Sequence, residues 1–149
     1  MRKTLSSLAK ALLALVLVLM ACEGLARLFL TSPSTQIYDA ALGYVNRPGA
    51  VHFQTREGFQ AVRLNSLGLN DRPLNAPRDR PRLLFIGDSM TFAAQVPTDA
   101  NFTSQIERLD GVDAVNGGRD ALGPHQWLAR IDQLAPIVAP DLTVIVMSR

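Results

Sequence analysis

LLFIGDSMT, residues 83–91, decides how the chain is read: four apolar residues, then glycine, aspartate and serine, then a threonine two positions after the serine. Leu83 to Ile86 is a short run without a polar residue, the pattern of a strand buried on both faces, as strands of parallel sheets are. A Gly-Asp-Ser turn directly after such a strand lies where open parallel sheets present reacting groups and backbone N–H donors. Ser89 is therefore a candidate nucleophile. The competing structural role is a hydroxyl that caps the following helix, and the two roles compete for one oxygen. A serine also needs a base within about 3 Å to take its proton, and the chain of 149 residues has two histidines, His52 and His125.

Downstream of this turn the pattern alternates. TDANFTSQIERLDG (98–111) predicts a helix capped by Thr98 or Asp99, with Phe102, Ile106 and Leu109 at core spacing and Gly111 as its stop. DAV (113–115) reads as a brief strand. PHQWLARIDQLAPIV (124–138) reads as a helix with Trp127, Ile131 and Leu134 facing inward, bent or ended near Pro136, and LTVIVM (142–147) as a third apolar strand. The order β-α-β-α-β, with connections of crossover length, predicts an α/β fold with a parallel sheet and helices on its faces.

Upstream, TSPSTQ (31–36) reads as a polar tether, and VHFQT and QAVRLN flank an REGF turn as a β-hairpin would. NSLGLNDRPLNAPRDRP (65–81) reads as a linker or irregular cap, with Asn65 and Asn70 as turn residues and RDRPR (78–82) as a solvated lead-in to the strand. Three segments are expected: 1–30 as signal or anchor, 31–80 as tether and small β-rich region, and 81–149 as the alternating α/β region.

The first segment sets the charge balance. The chain has fifteen basic and thirteen acidic residues, a formal +2, but Arg2, Lys3 and Lys10 precede the apolar run and no acid does. The basic excess belongs to the leader, and with no basic-aromatic stripe the sequence gives no nucleic-acid footprint. The leader leaves roughly 120 residues to fold, near the lower end for an α/β enzyme. Ala11 to Cys22 is an uninterrupted apolar run whose length fits a signal-peptide core better than a full span, and Glu23 and Arg27 break the apolar character just beyond it. LFL (28–30) resumes that character, so an uncleaved anchor in the cytoplasmic membrane, with the bulk of the chain extracytoplasmic, is the favoured localisation. Leu19-Met20-Ala21-Cys22 resembles a lipoprotein signal and leaves lipidation at Cys22 as an alternative, with a cleaved, secreted or periplasmic form as the other. A single cysteine forms no intramolecular disulfide.

LLFIGDSMT and NGGRDALG (116–123) together resemble the SGNH (GDSL-type) hydrolase superfamily, in its bacterial exported or membrane-anchored subgroup. The resemblance covers about residues 38–149. It implies a three-layer α/β/α flavodoxin-like fold, a serine esterase activity on ester bonds, and an acyl-enzyme formed on Ser89. Asp88 would hold the loop. In the second block Asn116 and Gly118 match the family's asparagine and first glycine, Asn116 being expected to bond the first-block loop, and Ala121 stands where the family places its oxyanion glycine. Whether alanine serves there depends on the sign of its φ angle. The family's third-block asparagine is due just after Arg149 and its Asp-x-x-His later still, so the resemblance implies an incomplete or inactive form holding the first three strands only.

His125, at the start of the second predicted helix, is the weak candidate base, and His52, in the predicted hairpin, is weaker. Arg119 and Asp120 either line the site or form a charged, solvated loop. No cluster of ligand spacing points to a metal, and no cofactor is implied. The expected partners are an acyl-ester small molecule or an O-acetylated glycan, and the membrane through the N-terminal segment. The alternatives are an O-acyltransferase-like domain, a non-catalytic anchored binding protein or truncated relic, and, more weakly, a phosphate binder using the GDSMT loop.

Overall fold

A computed structural model describes residues 2–29, 34–55, 58–74 and 78–147. Parts of the predicted tether (31–33), the REGF turn (56–57) and the linker (75–77) lie outside the described residues. The chain divides into two compact units, Met1–Pro33 and Ser34–Arg149.

The first unit holds helix α1 (Arg2–Phe29). Its stretch Ser7–Leu28 is long and apolar enough to cross a membrane, with a mean hydropathy of 2.2. At 1.5 Å per residue those 22 residues reach about 33 Å, against roughly 30 Å of bilayer hydrocarbon. Leu8, Leu12, Leu15 and Leu19 are all exposed, as is Cys22. The apolar helix is longer than the run to Cys22 suggests, because Glu23 and Arg27 do not break it. One turn apart, they form an ion pair of 2.7 Å between Arg27 Nε and Glu23 Oε1.

The second unit is mixed α/β. Two antiparallel hairpins come first, β1 (Gln36–Asp39) with β2 (Gly43–Asn46) and β3 (Val51–Gln54) with β4 (Gln60–Arg63). The second is the hairpin expected from VHFQT and QAVRLN. The first was not expected, since a side chain makes its turn: Asp39 Oδ1 accepts from the N–H groups of Ala41 and Leu42, both at 2.9 Å, an Asx turn. Tyr38 and Tyr44 then meet across the strands edge to face, 5.9 Å between centroids.

The parallel sheet has the order β6-β5-β7, from β5 (Arg82–Gly87), β6 (Asp113–Asn116) and β7 (Leu142–Val146). Helices α2 (Ser89–Phe92), α3 (Phe102–Asp110) and α4 (Pro124–Val138) join or follow its strands. β5 is central, which is why its run is apolar throughout: Leu84, Phe85 and Ile86 are buried. Leu84, Ile86, Val115, Trp127, Leu134 and Val138 form one core with Leu42 and Leu69 from the upstream region, each fully buried side chain contributing about 1.5–3 kcal/mol. Trp127 is thus a packing residue, and Phe102 packs edge to face on Phe85 at 5.4 Å.

Several local expectations are corrected. Thr98–Ala100 is a separate 3-10 turn, and the cap of α3 is Asn101, whose side chain accepts from Ser104 N–H. Leu109 is 80% exposed, because the inward face of α3 centres on Thr103, Ile106 and Glu107. Glu107 turns inward since Oε1 accepts the N–H of Ala114 at 3.1 Å, and Asp71 Oδ2 likewise accepts that of Asn116 at 2.8 Å. Two carboxylates thereby occupy donors on the outer edge of β6, which blunts an edge strand. Arg82 is buried rather than solvated: it pairs with Asp113 and donates to the Val138 carbonyl at 2.8 Å. Pro136 lies inside α4, which runs on to Val138 and ends at Ala139 in the left-handed region. The helix thus ends two residues beyond Pro136, close to where the sequence places its end.

Candidate functional site

The site begins where β5 ends. Gly87 admits no side chain, since a Cβ there would strike the Thr91 hydroxyl and come within 2.8 Å of the Val146 carbonyl oxygen. Asp88 follows as the N-cap of α2, its Oδ1 accepting from Met90 N–H at 2.9 Å. That answers the competition for the serine oxygen: the cap is Asp88, and Ser89 is the first helical residue, its hydroxyl engaged in no hydrogen bond among the described residues. The far end of this short helix is held by Asn70, more than a turn former, which donates to the carbonyls of Phe92 and Ala93 at 2.8 and 3.3 Å and accepts from the Thr98 hydroxyl at 2.7 Å.

The loop after β6 is laid along the same strand end. Gly117 N–H donates to the Phe85 carbonyl at 2.7 Å and Arg119 N–H to that of Gly87 at 3.2 Å. Gly118 must be glycine, because a Cβ would sit 2.5 Å from Phe92 N. The side chain of Asn116 shapes its own loop by accepting from Gly118 N–H at 3.0 Å; the expected bond to the Gly-Asp-Ser loop is not made, and backbone donors link the two loops instead. Ala121 has φ +57°, the left-handed conformation that glycine adopts most readily.

Ser89 lines a cavity of about 450 Å³ together with His52, Phe53, Gln54, Thr55, Gln95 and Asp120. His52 Nε2 lies 3.8 Å from Asp120 Oδ2. The imidazole stands edge to face on Phe92, 5.2 Å between centroids at 88°, so the helix that carries Ser89 also supports His52. Burial pushes the Asp120 carboxyl above its usual range, against the opposing pull of His52 and Arg119.

Two arginines are buried beside the second loop. Arg119 Nη1 donates to the Leu42 carbonyl at 3.2 Å and Arg130 Nε to that of Gly117 at 3.3 Å. Burial lowers the pKa of both, that of Arg130 to about 10 with the neighbouring Arg119 charge adding to the effect. They tie the first hairpin and α4 to the second loop.

Of the residues singled out in the sequence, Ser89, Asp88, Gly118 and Asn116 converge on the two loops at the end of β5, and Asp120 reaches the cavity. His125 is exposed in the first turn of α4 and is not among the residues lining the cavity. His52, ranked below His125 from the sequence, is the histidine that lines the cavity. The one signal for it was register: His52 pairs with buried Val62 across the hairpin, which puts it on the inward face. Among the described residues no three His, Cys, Asp or Glu side chains are grouped to hold a metal ion. The chain matches no protein-family model and no curated protein.

Proposed function

We propose that the chain is a membrane-tethered acyl-ester hydrolase of SGNH type, with Ser89 as nucleophile. The observation that carries this is the state of Ser89: it follows a buried parallel strand, Asp88 relieves it of capping, and it opens onto a cavity with a histidine and a carboxylate. The strand order β6-β5-β7 supports a flavodoxin-like arrangement, in which the first strand is flanked by the second and third and ligands bind at the end of that first strand. The left-handed φ of Ala121 supports its standing for the family's oxyanion glycine.

Ser89 Oγ attacks the ester carbonyl, and the N–H groups of Ser89 and Ala121 receive the developing oxyanion. The polar lining of His52, Gln54, Thr55, Gln95 and Asp120 suits a small acyl group on a polar alcohol, such as an O-acetylated glycan, better than a long acyl chain. With a sugar hydroxyl in place of water the same site transfers the acyl group. The basic residues Arg2, Lys3 and Lys10 ahead of the apolar stretch favour a cytoplasmic N-terminus and an extracytoplasmic site.

The test is covalent labelling of the full chain in detergent micelles with a fluorophosphonate, located by peptide mass. Labelling at Ser89, abolished in Ser89→Ala along with hydrolysis of p-nitrophenyl acetate, is the expected result. A wild-type chain that takes no label on Ser89 would overturn the assignment and favour a binding role.

A further inference from the structure

We infer that Phe53 and Phe59 form the platform on which the sugar ring of an O-acetylated glycan stacks, with its acetyl group directed to Ser89. The inference rests on the proposed role of Ser89 and deepens it by naming the residues that select the alcohol part of the ester. Three observations carry it. First, the consecutive residues His52, Phe53, Gln54 and Thr55 line the cavity that Ser89 also lines. Neighbours along a strand point to opposite faces, so a cavity touched by all four follows the edge of β3, and among the described residues β3 pairs with β4 alone. Second, the same alternation sets His52 against Phe92 and leaves Phe53 52% exposed, while Phe59, just ahead of β4, is 76% exposed. The two rings meet each other, 6.3 Å between centroids and tilted by 41°, and so make one apolar patch rather than two scattered residues. Third, Phe53 is the one apolar side chain among the described residues that line the cavity.

That combination fits a sugar better than an acyl chain. A pyranose ring has a face of C–H bonds and a rim of hydroxyl groups. Its C–H face gains dispersion contact with a phenyl ring that water otherwise covers. Its hydroxyls, each both donor and acceptor, match the amides of Gln54 and Gln95, the Thr55 hydroxyl and the Asp120 carboxylate of the same cavity. A long acyl chain would lay methylene groups against these side chains and take their water away without replacing its hydrogen bonds. The volume of about 450 Å³ falls within the range of small-molecule sites.

The experiment uses the full chain in phospholipid nanodiscs, with 4-fluorophenylalanine in place of phenylalanine and the two ring signals assigned from Phe53→Leu and Phe59→Leu. Titration of Ser89→Ala with O-acetylated xylo-, manno- and chito-oligosaccharides is expected to shift both fluorine signals to saturation with at least one of them. With Ser89 present, kcat/KM for acetate release from that oligosaccharide, divided by kcat/KM for methyl acetate, should fall about 10-fold in Phe53→Leu, through KM, and recover in Phe53→Trp. Both rings are exposed, so these variants are expected to keep the fold. Signals unmoved by every oligosaccharide, or an unchanged ratio in Phe53→Leu, overturn the inference while the role of Ser89 stands on its labelling. Signals that move with methyl octanoate and not with sugar overturn it in favour of an acyl-chain site, and signals broadened by spin-labelled phospholipid but unmoved by sugar overturn it in favour of membrane contact. A wild type that takes no label and releases no acetate overturns the role of Ser89, and the fluorine titration still decides the platform.

Discussion

Asp71 carries the sharpest electrostatic consequence in the second unit. Its two carboxylate oxygens accept from the N–H groups of Asn116 and Arg72, at 2.8 and 2.7 Å. Burial nevertheless outweighs these bonds and raises its pKa to about 6, with the Glu107 charge adding to the rise. A carboxyl raised above its unfolded value stabilises the fold fully below that value, near pH 4, and loses the contribution as pH rises through about 6. The two-unit displacement corresponds to of order 3 kcal/mol. In Asp71→Asn this component vanishes. The Tm of the variant relative to wild type should therefore climb between pH 4 and 6 and level off above 7, and a flat difference across that range would count against it.

At the scale of the element, α2 is a four-residue helix that is too short to hold itself together. Its geometry comes from outside, from Asp88 at one end and Asn70 at the other. The two supports are unequal. Asp88→Ala removes an exposed cap bond, worth about 1 kcal/mol. Asn70→Ala removes one buried and two part-buried bonds and leaves the Phe92 carbonyl without its partner, a loss of about 2–4 kcal/mol. Urea unfolding should show the larger midpoint shift for Asn70→Ala, together with slower labelling of Ser89, since that helix sets the serine. The sequence marked Asn70 as a turn former because a local pattern shows the turn and not the distant carbonyls it reaches.

For the whole molecule, the chain divides into Met1–Pro33, which holds the long apolar helix, and the mixed α/β unit Ser34–Arg149. Large apolar side chains of α1 from Leu8 to Leu28 are exposed, and among the described residues the core of the second unit is built from residues from Leu42 onward. Deleting residues 1–33 should leave the melting temperature of the remainder within about 2 °C of the full chain, as expected of a unit with its own core. It should also abolish co-sedimentation with phospholipid vesicles, which the full chain is expected to show. Loss of cooperative melting on deletion, or vesicle binding without α1, would contradict this.

The amino-acid order by itself determined the β-α-β-α-β succession after Pro81, the second hairpin, the apolar N-terminal helix and the Gly-Asp-Ser turn. Each of these is written in contacts between near neighbours: periodicity, caps and turn residues. Tertiary structure alone decided why Arg82 is buried and how Asp71 and Glu107 close the edge of β6. It alone brought His52, Ser89 and Asp120 to one cavity, since they sit on a hairpin, a strand-to-helix turn and a loop far apart in the chain. Only strand register and the packing of Phe92 under the imidazole make them neighbours, and neither is expressed in any local run of residues.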